Sequence, residues 1–317
     1  ILSAHHRQTQ TTMPAHINPA VLAATSTIAS RFGAAKPFRH VVIDDFLKTE
    51  FAQALLAQFP AFERGNARNE AGELGRKSVV ECIRALGPAY AQLDDLIQTP
   101  SFLQLIAQIT GIAQLQYDPH YFGGGTHENR FGQDLDPHVD FNLHPITGSH
   151  RRLNLIVYLN QQWQDDWGGS LELHSDPRRS DNQITRVTPL LNRAVVFETT
   201  EWSWHGFSQI AAPDDISRRS IALYFYTRER PAAELADPHS TIYVNRALPT
   251  HLRAGHTLTS NDELLVHSAI ARRDQHIERL YRDTQRLETQ LIEAQKTLRM
   301  SRLGRISAAL GRMLRGR

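Results

Sequence analysis

Residues 151–160, RRLNLIVYLN, carry the pattern that decides the fold class, a short run of apolar and β-branched residues that ends at Asn160. Similar runs lie on both sides of it, and Gly, Pro, Asn and Asp separate them. Runs of this kind are typical of β-strands. Strands are therefore predicted to dominate from 113 to 228, in the segments LQYDPHYF, RRLNLIVYLN, GSLELHS, NRAVVFETT and RRSIALYFYT.

Helices are predicted ahead of these strands. PFRHVVIDDF at 37–46 has the pattern of a strand, and apolar residues then recur with helical spacing from 51 until Pro60 ends the helix. Two more helices are predicted near 89–98 and 101–110. Helices followed by many short strands, without βαβ alternation, predict an α+β fold, a jelly roll or related barrel braced by N-terminal helices.

The composition changes at both ends of this region. Residues 1–36 are polar and rich in Ala, Thr and Ser, which favours a flexible arm with one helix around residues 21–32, and Met13 is an alternative start of the chain. The main domain is predicted at 37–230, a linker at 231–262, and a helical extension at 263–317.

The extension carries a heptad pattern. Its a and d positions are apolar except for Thr284, which is typical of a coiled coil and of a homo-oligomer. A helix docked on its own chain has similar spacing and stays an alternative. The apolar positions are Ile277, Leu280, Leu287, Leu291, Ala294 and Leu298.

Charge is concentrated at the end of the sequence. Residues 299–317 hold six Arg and no acid, so subtracting these six from the net charge of +2 leaves residues 1–298 at −4. A mildly acidic main part without a basic stripe argues against nucleic-acid binding. The basic tail is expected either to lie on an anionic membrane as an amphipathic helix or to be solvated. No apolar run is long enough to span a membrane and no secretory signal is visible, so the expected location is the cytoplasm, at the inner face of the membrane if the tail binds it.

The most informative motif for chemistry is DLDPHVDFN at 134–142. Residues i and i+2 of a strand share a face, so His138 is predicted to lie beside Asp140. WSWHGF supplies His205 as a third ligand, which a barrel can return to the first strand. Two His and one carboxylate leave three positions of an octahedral ion open, the arrangement used by Fe(II) oxygenases.

A 2-oxoglutarate cosubstrate adds a second requirement, because its far carboxylate is buried and needs a cationic partner. Arg218 begins the strand that follows the distal ligand, and the planar fork of Arg suits this role better than Lys. Ser220 shares its face. Arg219 points away and is the alternative if the register slips. Tyr158 can donate its hydroxyl to the same carboxylate.

These motifs, in this order and spacing, resemble the prolyl 4-hydroxylase-like branch of the Fe(II)/2-oxoglutarate oxygenases over about 37–228. The resemblance implies a double-stranded β-helix core of the jelly-roll and cupin-like type. It implies Fe(II) on His138, Asp140 and His205, and 2-oxoglutarate on Arg218, with O2 as the second cosubstrate and ascorbate as a reductant.

The same resemblance places further residues at the site. Tyr158 falls where the family has a tyrosine that contacts the cosubstrate, and Tyr121 of YFGGG falls where another lines the pocket. Asn154 faces the same way as Tyr158 and is expected to complete the polar lining.

The implied activity is hydroxylation of an unactivated C–H bond with release of succinate and CO2. A prolyl residue of a protein or peptide is the substrate nearest the family. A small molecule or a cell-surface polysaccharide sugar is the alternative, and an inactive cupin-like binding module is a further one. A zinc-dependent hydrolase is a less suitable interpretation, because its mechanism would leave Arg218 without a role. Asp140 argues against halogenation, which needs that ligand position for chloride.

Overall fold

The computed structural model describes residues 14–65, 77–246 and 248–315. The chain divides into two compact units, of which the first ends at Val244 and the second begins at Asn245. Among the described residues, no helix combines the length and the apolar character needed to cross a membrane.

The first unit contains two antiparallel sheets. The strands are β1 (His40–Ile43), β2 (Lys77–Val80), β3 (Gln116–Tyr117), β4 (Gly125–Asn129), β5 (Leu135–Val139), β6 (His150–Tyr158), β7 (Leu171–His174), β8 (Ile184–Val187), β9 (Ala194–Glu198), β10 (Trp204–Phe207), β11 (Arg218–Thr227) and β12 (Ile242–Tyr243). The larger sheet has the order β1-β9-β6-β11-β4-β2, with β3 paired to β11, and the smaller has the order β12-β5-β10-β7-β8.

Five helices precede most of these strands: α1 (Pro19–Ala23), α2 (Thr25–Ala34), α3 (Thr49–Ala57), α4 (Pro88–Gln98) and α5 (Pro100–Thr110). Local sequence sets several of their ends. The Thr99 hydroxyl accepts a hydrogen bond from the Phe102 amide at 3.2 Å and caps α5. Gly111, with φ of 73°, ends it in the left-handed conformation that favours glycine. Helices and antiparallel sheets together confirm the α+β prediction.

The side chains of β6 show how the larger sheet divides the interior. Leu153, Leu155 and Val157 belong to the main apolar core, which also contains the buried side chains of the helices. Ile156 and Tyr158, on the other face, pack with residues of the smaller sheet. This alternation follows from the two-residue period of a strand, and it places the inward side chains between the sheets.

The predicted flexible arm at 1–36 is wrong for its described part. α1 and α2 contribute Val21, Ile28 and Phe32 to the main core, and Ile17 ahead of them is also buried. The Ala, Thr and Ser residues that suggested an arm occupy the outer faces of these short helices. Four buried apolar side chains are enough to attach the segment.

The predicted boundary between the domain and a linker at 231 is also wrong. β12 pairs with β5, and Tyr243 lies opposite His138. A strand of two residues has no visible periodicity, so its polar surroundings suggested a linker. Residues up to Val244 therefore belong to the first unit.

The second unit consists mainly of one helix, α6 (Ser260–Arg315), 56 residues long. Five apolar heptad residues are between 48% and 59% exposed: Ile277, Leu280, Leu287, Leu291 and Leu298. Self-association through them stays a prediction. The side chains of the basic tail, 299–317, lie outside the described residues.

Candidate functional site

Antiparallel pairing of β5 and β10 brings two histidines together. His205 lies directly opposite His138, and their ring centroids are 4.2 Å apart. Asp140 follows β5, and its carboxylate oxygens lie 3.7 Å from Nε2 of His138 and 3.6 Å from Nε2 of His205. The three prospective ligand atoms all lie within 4.8 Å of one another. The predicted metal cluster is therefore assembled.

The second nitrogen of each ring is held by the backbone. Nδ1 of His138 lies 3.0 Å from the Asp136 carbonyl, and Nδ1 of His205 lies 2.9 Å from the Ser203 carbonyl. A carbonyl can only accept, so each Nδ1 carries the proton and each Nε2 keeps its lone pair toward Asp140. Outer partners of this kind orient metal ligands, and the donor set suits a divalent transition metal.

Electrostatics favour the ligating protonation states. Burial lowers the pKa of His138 to about 3, with the neighbouring His205 acting in the same direction and Asp140 opposing it. Burial also lowers the pKa of His205. Burial acts to raise the pKa of Asp140, but Arg151 and then the two histidines outweigh it and lower that pKa to about 2. At neutral pH the cluster therefore presents two neutral imidazoles and one carboxylate.

Arg151 was not predicted, yet it is the main partner of Asp140. Its guanidinium Nη2 lies 3.1 Å from Asp140 Oδ2, and it is 1% exposed. The guanidinium is stacked between Phe141 and Tyr224, at 4.5 and 3.7 Å from their ring centroids. Such a buried ion pair fixes the orientation of the carboxylate.

Asn154 completes this arrangement. Its side-chain amide donates to Asp140 Oδ2 at 2.8 Å, while its oxygen accepts two bonds from Arg151, at 3.1 and 2.8 Å. Asn154 lines the pocket, as predicted. Its hydrogen bonds, however, orient the metal ligand Asp140.

Arg218 forms the other end of the pocket. Nε donates to the Gly169 carbonyl at 2.7 Å and Nη2 donates to the Tyr158 hydroxyl at 3.0 Å. The side chain is buried, and within the described part of the chain no carboxylate pairs with it. Burial lowers the pKa of Arg218. Because a buried cation needs a negative partner, this end of the pocket is suited to a carboxylate ligand.

The turn before β7 makes room for this arginine. A Cβ on Gly169, where φ is 66°, would lie 2.9 Å from Trp163 and 3.4 Å from Arg218. A side chain there would be strained and would crowd the Trp163 ring, whereas the arginine stem would be in ordinary contact. The glycine pair of WGGSLEL thus shapes the anion end of the pocket.

Ser220 and Tyr158 lie opposite each other on β11 and β6, beside Arg218. Ser220 lines the pocket, and Tyr158 is fully buried with its hydroxyl on the guanidinium. Arg219 faces away and pairs with Glu128 at 3.5 Å. The strand parity that distinguished Arg218 from Arg219 therefore agrees with the geometry.

The prediction that Tyr121 lines the pocket is wrong. Its hydroxyl donates to Asp94 of α4 at 2.7 Å, and its ring packs in the main core. Tyr121 occupies a turn with φ of 50°, so strand parity does not apply to it. The turn directs its side chain toward the helices.

Lys77, His127 and Asn129 are further pocket residues that the sequence did not indicate. Lys77 lies opposite Asn129, which lies opposite Arg218, so the three form a row across the sheet. His127 carries a buried Nε2 without a hydrogen-bond partner among the described residues. The pattern GTHEN has too few apolar residues to be recognised as a strand.

The cavity between the two ends has a volume of about 280 Å³, close to the lower limit for ligand pockets. Apolar side chains separate the ends, and aromatic side chains stand beside the metal cluster. Its lining includes Ile156, Leu171, Phe207, Phe141, Tyr224 and Tyr243.

The fold and the site have the features expected of iron and 2-oxoglutarate oxygenases, and a comparison with known proteins agrees for part of the chain. Residues 125–226 match the family model described as the 2OG-Fe(II) oxygenase superfamily. This part of the chain is therefore a 2OG-Fe(II) oxygenase domain. The resemblance inferred from the motifs is confirmed, and the residues present fit both Fe(II) and 2-oxoglutarate.

Individual relatives include prolyl hydroxylases. Prolyl 3-hydroxylase OGFOD1 of Mus musculus is 32% identical over 108 residues, which cover 30% of this chain and only 20% of that protein. Among solved structures, a Trichoplax adhaerens prolyl hydroxylase in complex with a hypoxia inducible factor peptide has a TM-score of 0.46 at 16% identity, covering 66% of this chain and 93% of its own. A Pseudomonas putida prolyl-4-hydroxylase has a TM-score of 0.41 at 19% identity, covering 64% and 100%.

Proposed function

We propose that the protein is an Fe(II)- and 2-oxoglutarate-dependent dioxygenase that hydroxylates an unactivated C–H bond and releases succinate and CO2. The observation that carries this proposal is the presence of both sites in one pocket. A cluster of two neutral imidazoles and one carboxylate lies at one end, and a buried arginine without a described carboxylate partner lies at the other.

At the metal end, His138, Asp140 and His205 would hold the ion. When bound, Fe(II) with 2-oxoglutarate and O2 supplies the oxidant for the C–H bond. The backbone carbonyls of Asp136 and Ser203 keep the imidazoles in the ligating tautomer. These contacts hold the ligand set ready before the metal arrives.

At the other end, Arg218 would bind the far carboxylate of 2-oxoglutarate through its free guanidinium hydrogens. The Tyr158 hydroxyl accepts from Arg218, so its own proton is available to the same carboxylate. Ser220 can add a further donor. Charge-assisted bonds to a buried carboxylate are strong because water is absent.

The walls between the two ends exclude water from the reacting atoms. Leu171 and Phe207 are 2% and 6% exposed, and Ile156 lies beside them in the lining. A dry wall keeps the oxidant from reacting with solvent before a substrate is in place. The cavity volume of about 280 Å³ leaves room for 2-oxoglutarate and only the reacting group of a substrate.

We infer a prolyl residue of a protein or peptide as the substrate. The support is the match to a curated relative named as a prolyl 3-hydroxylase. Phe141, Tyr224 and Tyr243 beside the metal cluster offer aromatic faces against which a prolyl ring can pack. Residues 143–150, which follow the HVD motif, would contribute to substrate choice.

The structural context of the domain is part of the same proposal. We infer the double-stranded β-helix of this superfamily for the two sheets. We also propose that α6 joins a second copy as a coiled coil, supported by its exposed heptad residues, and that the basic tail contacts an anionic membrane surface.

The deciding experiment is an anaerobic titration of the full chain with Fe(II) and then 2-oxoglutarate, followed by visible absorption. The expected result is a metal-to-cosubstrate charge-transfer band that is lost in His205→Ala and kept in His267→Ala, an exposed histidine of α6. A folded protein without the band would contradict the proposal. Succinate release with prolyl peptides, and a peptide mass increase of one oxygen atom, then test the substrate class.

A further inference from the structure

A second cluster of ligand-type side chains lies in the second unit. Nε2 of His251 is 2.7 Å from Asp262 Oδ1, and Nε2 of His256 is 3.0 Å from Asp262 Oδ2. The two imidazole centroids are 5.2 Å apart. The three prospective ligand atoms all lie within 4.8 Å of one another, the same limit that the oxygenase cluster meets.

The carboxylate of this cluster is fixed by the start of α6. Asp262 Oδ2 accepts from the amide and the hydroxyl of Thr259, at 2.9 and 2.7 Å, and the Thr259 hydroxyl accepts from the Asp262 amide at 3.2 Å. This reciprocal arrangement is a capping box. It leaves Asp262 buried, with a side chain 5% exposed, and leaves Oδ1 with His251 as its only described partner.

The two histidines reach Asp262 because the preceding chain is tightly turned. The Leu252 amide donates to the Pro249 carbonyl at 3.0 Å, and the His256 amide donates to the Arg253 carbonyl at 3.0 Å. Gly255, with φ of 84°, supplies a left-handed residue directly before His256. These turns bring one ring to each of the two carboxylate oxygens.

The donor chemistry matches a divalent transition metal. Neutral imidazole and carboxylate together suit Zn²⁺, Ni²⁺ or Cu²⁺ better than Mg²⁺ or Ca²⁺, which take oxygen ligands. Each Nε2 proton now bridges a ring to Asp262. Neither Nδ1 has a described partner. Each ring can therefore exchange its proton with solvent and take the tautomer that is protonated at Nδ1, which leaves the Nε2 lone pair available to a metal.

We propose that His251, His256 and Asp262 form a second metal site, for Zn²⁺ or a similar ion, which fastens the turned segment 249–256 to the start of α6. The site does not depend on the oxygenase proposal. His251, with a side chain 52% exposed, provides access, while the capped Asp262 is already in place. Water would fill the remaining coordination positions.

The test uses the full chain, freed of metal, in a His205→Ala background that disables the oxygenase cluster. Co²⁺ is titrated anaerobically and its visible d–d absorption reports coordination by the protein. The expected result is one bound Co²⁺ per chain, displaced by Zn²⁺. In the same background, His256→Gln and Asp262→Asn should each weaken binding by at least about tenfold. The control His267→Gln, which removes an exposed histidine of α6 outside the cluster, should not.

Asp262→Asn keeps a side-chain oxygen for the Thr259 amide, so α6 remains capped while the charge is lost. Far-UV circular dichroism verifies this. In the wild type, which retains both clusters, the titration should reach two Co²⁺ per chain. The proposal is overturned if the His205→Ala protein binds no Co²⁺, which would leave a hydrogen-bonded cap only. Equal binding by the His256→Gln and His267→Gln variants would also overturn it.

Discussion

The two ends of the oxygenase pocket differ in how their charges are balanced. At the metal end, Asp140 is paired with Arg151 and hydrogen-bonded by Asn154, and the imidazoles are neutral. At the other end, Arg218 is held by the Gly169 carbonyl and the Tyr158 hydroxyl, neither of which carries a charge. The first end is complete without a ligand, whereas the second depends on an incoming anion.

This difference means that the contacts at the metal end position the metal ligands, whereas Arg218 at the other end is suited to bind the cosubstrate. The contacts around His138, Asp140 and His205 hold these side chains in position and do not bind the cosubstrate. Loss of such a contact should therefore lower the stability of the protein and its affinity for the metal. Contacts around Arg218 leave the guanidinium unneutralised, so its loss should act on 2-oxoglutarate alone. Substitutions at the two ends should therefore give different experimental signatures.

The largest expected effect is on the buried pair. Arg151→Met leaves Asp140 charged and unpaired, which should lower the free energy of unfolding by about 3–5 kcal/mol. The loss should shrink as the pH falls, because Asp140 can then be protonated. Thermal unfolding of the metal-free protein measures this. Adding Asp140→Asn should restore most of the stability, and a double variant no more stable than Arg151→Met would contradict the pairing argument.

Arg218→Ala is the matching change at the other end. Removal of the cation should weaken 2-oxoglutarate binding by roughly 2–5 kcal/mol, at least about thirtyfold in dissociation constant. Metal binding should be unchanged, since Arg218 contacts none of the ligands. Titration of the Fe(II) protein with 2-oxoglutarate provides the measurement. Arg219→Ala, which removes the outward-facing neighbour, is the control, and an equal effect there would refute the assignment of Arg218.

Tyr158→Phe should have a smaller effect at the same end. It removes a single hydroxyl that contacts the guanidinium and is available to the cosubstrate. The loss of one such hydrogen bond should weaken cosubstrate binding by about 1 kcal/mol. The KM for 2-oxoglutarate should rise about fivefold with little change in kcat. A fall in kcat with an unchanged KM would show that the tyrosine acts on the reaction itself.

The smallest expected effect is that of pH on the metal end. The pKa of His138 is lowered to about 3, and that of His205 is lowered too, so neither ring needs to lose a proton near neutrality. Affinity for Mn²⁺, measured calorimetrically, should stay constant from about pH 8 to pH 6. An ordinary histidine, with a pKa of about 6.5, would begin to lose affinity below that value. A loss approaching tenfold per pH unit in this range would show that the imidazoles are not held neutral.

Much of the site was readable from the sequence because two periodic rules apply to it. The i, i+2 spacing placed His138 beside Asp140, and strand parity selected Arg218 over Arg219. The match to the family model at 125–226 agrees with the order of those motifs. These residues lie on or beside regular strands, where sequence spacing translates directly into direction.

Arg151 was not predicted because the two-residue alternation of β6 is interrupted near its position. Opposite β11, the register shifts between Phe225 and Tyr226, so Leu153 pairs with Phe225 and Arg151 pairs with Tyr226. A bulge of this kind moves a side chain to the other face. Counting back from Asn154 by twos would have chosen Arg152, which instead pairs with Glu198 at 3.3 Å.

Other errors have the same physical origin. Tyr121 lies in a turn, where no strand rule sets its direction, and β12 is too short for a pattern. α1 and α2 bury few large residues, so the segment was predicted to be a flexible arm although a helix was expected in it. Tertiary contacts determine the placement of all three segments.

Gly169 has a consequence for the evolution of the chain. A Cβ there would lie only 2.9 Å from Trp163, and the left-handed backbone at this turn disfavours any side chain, so most substitutions at this position should be selected against. Descendants of this sequence that retain arginine at 218 should retain glycine at 169.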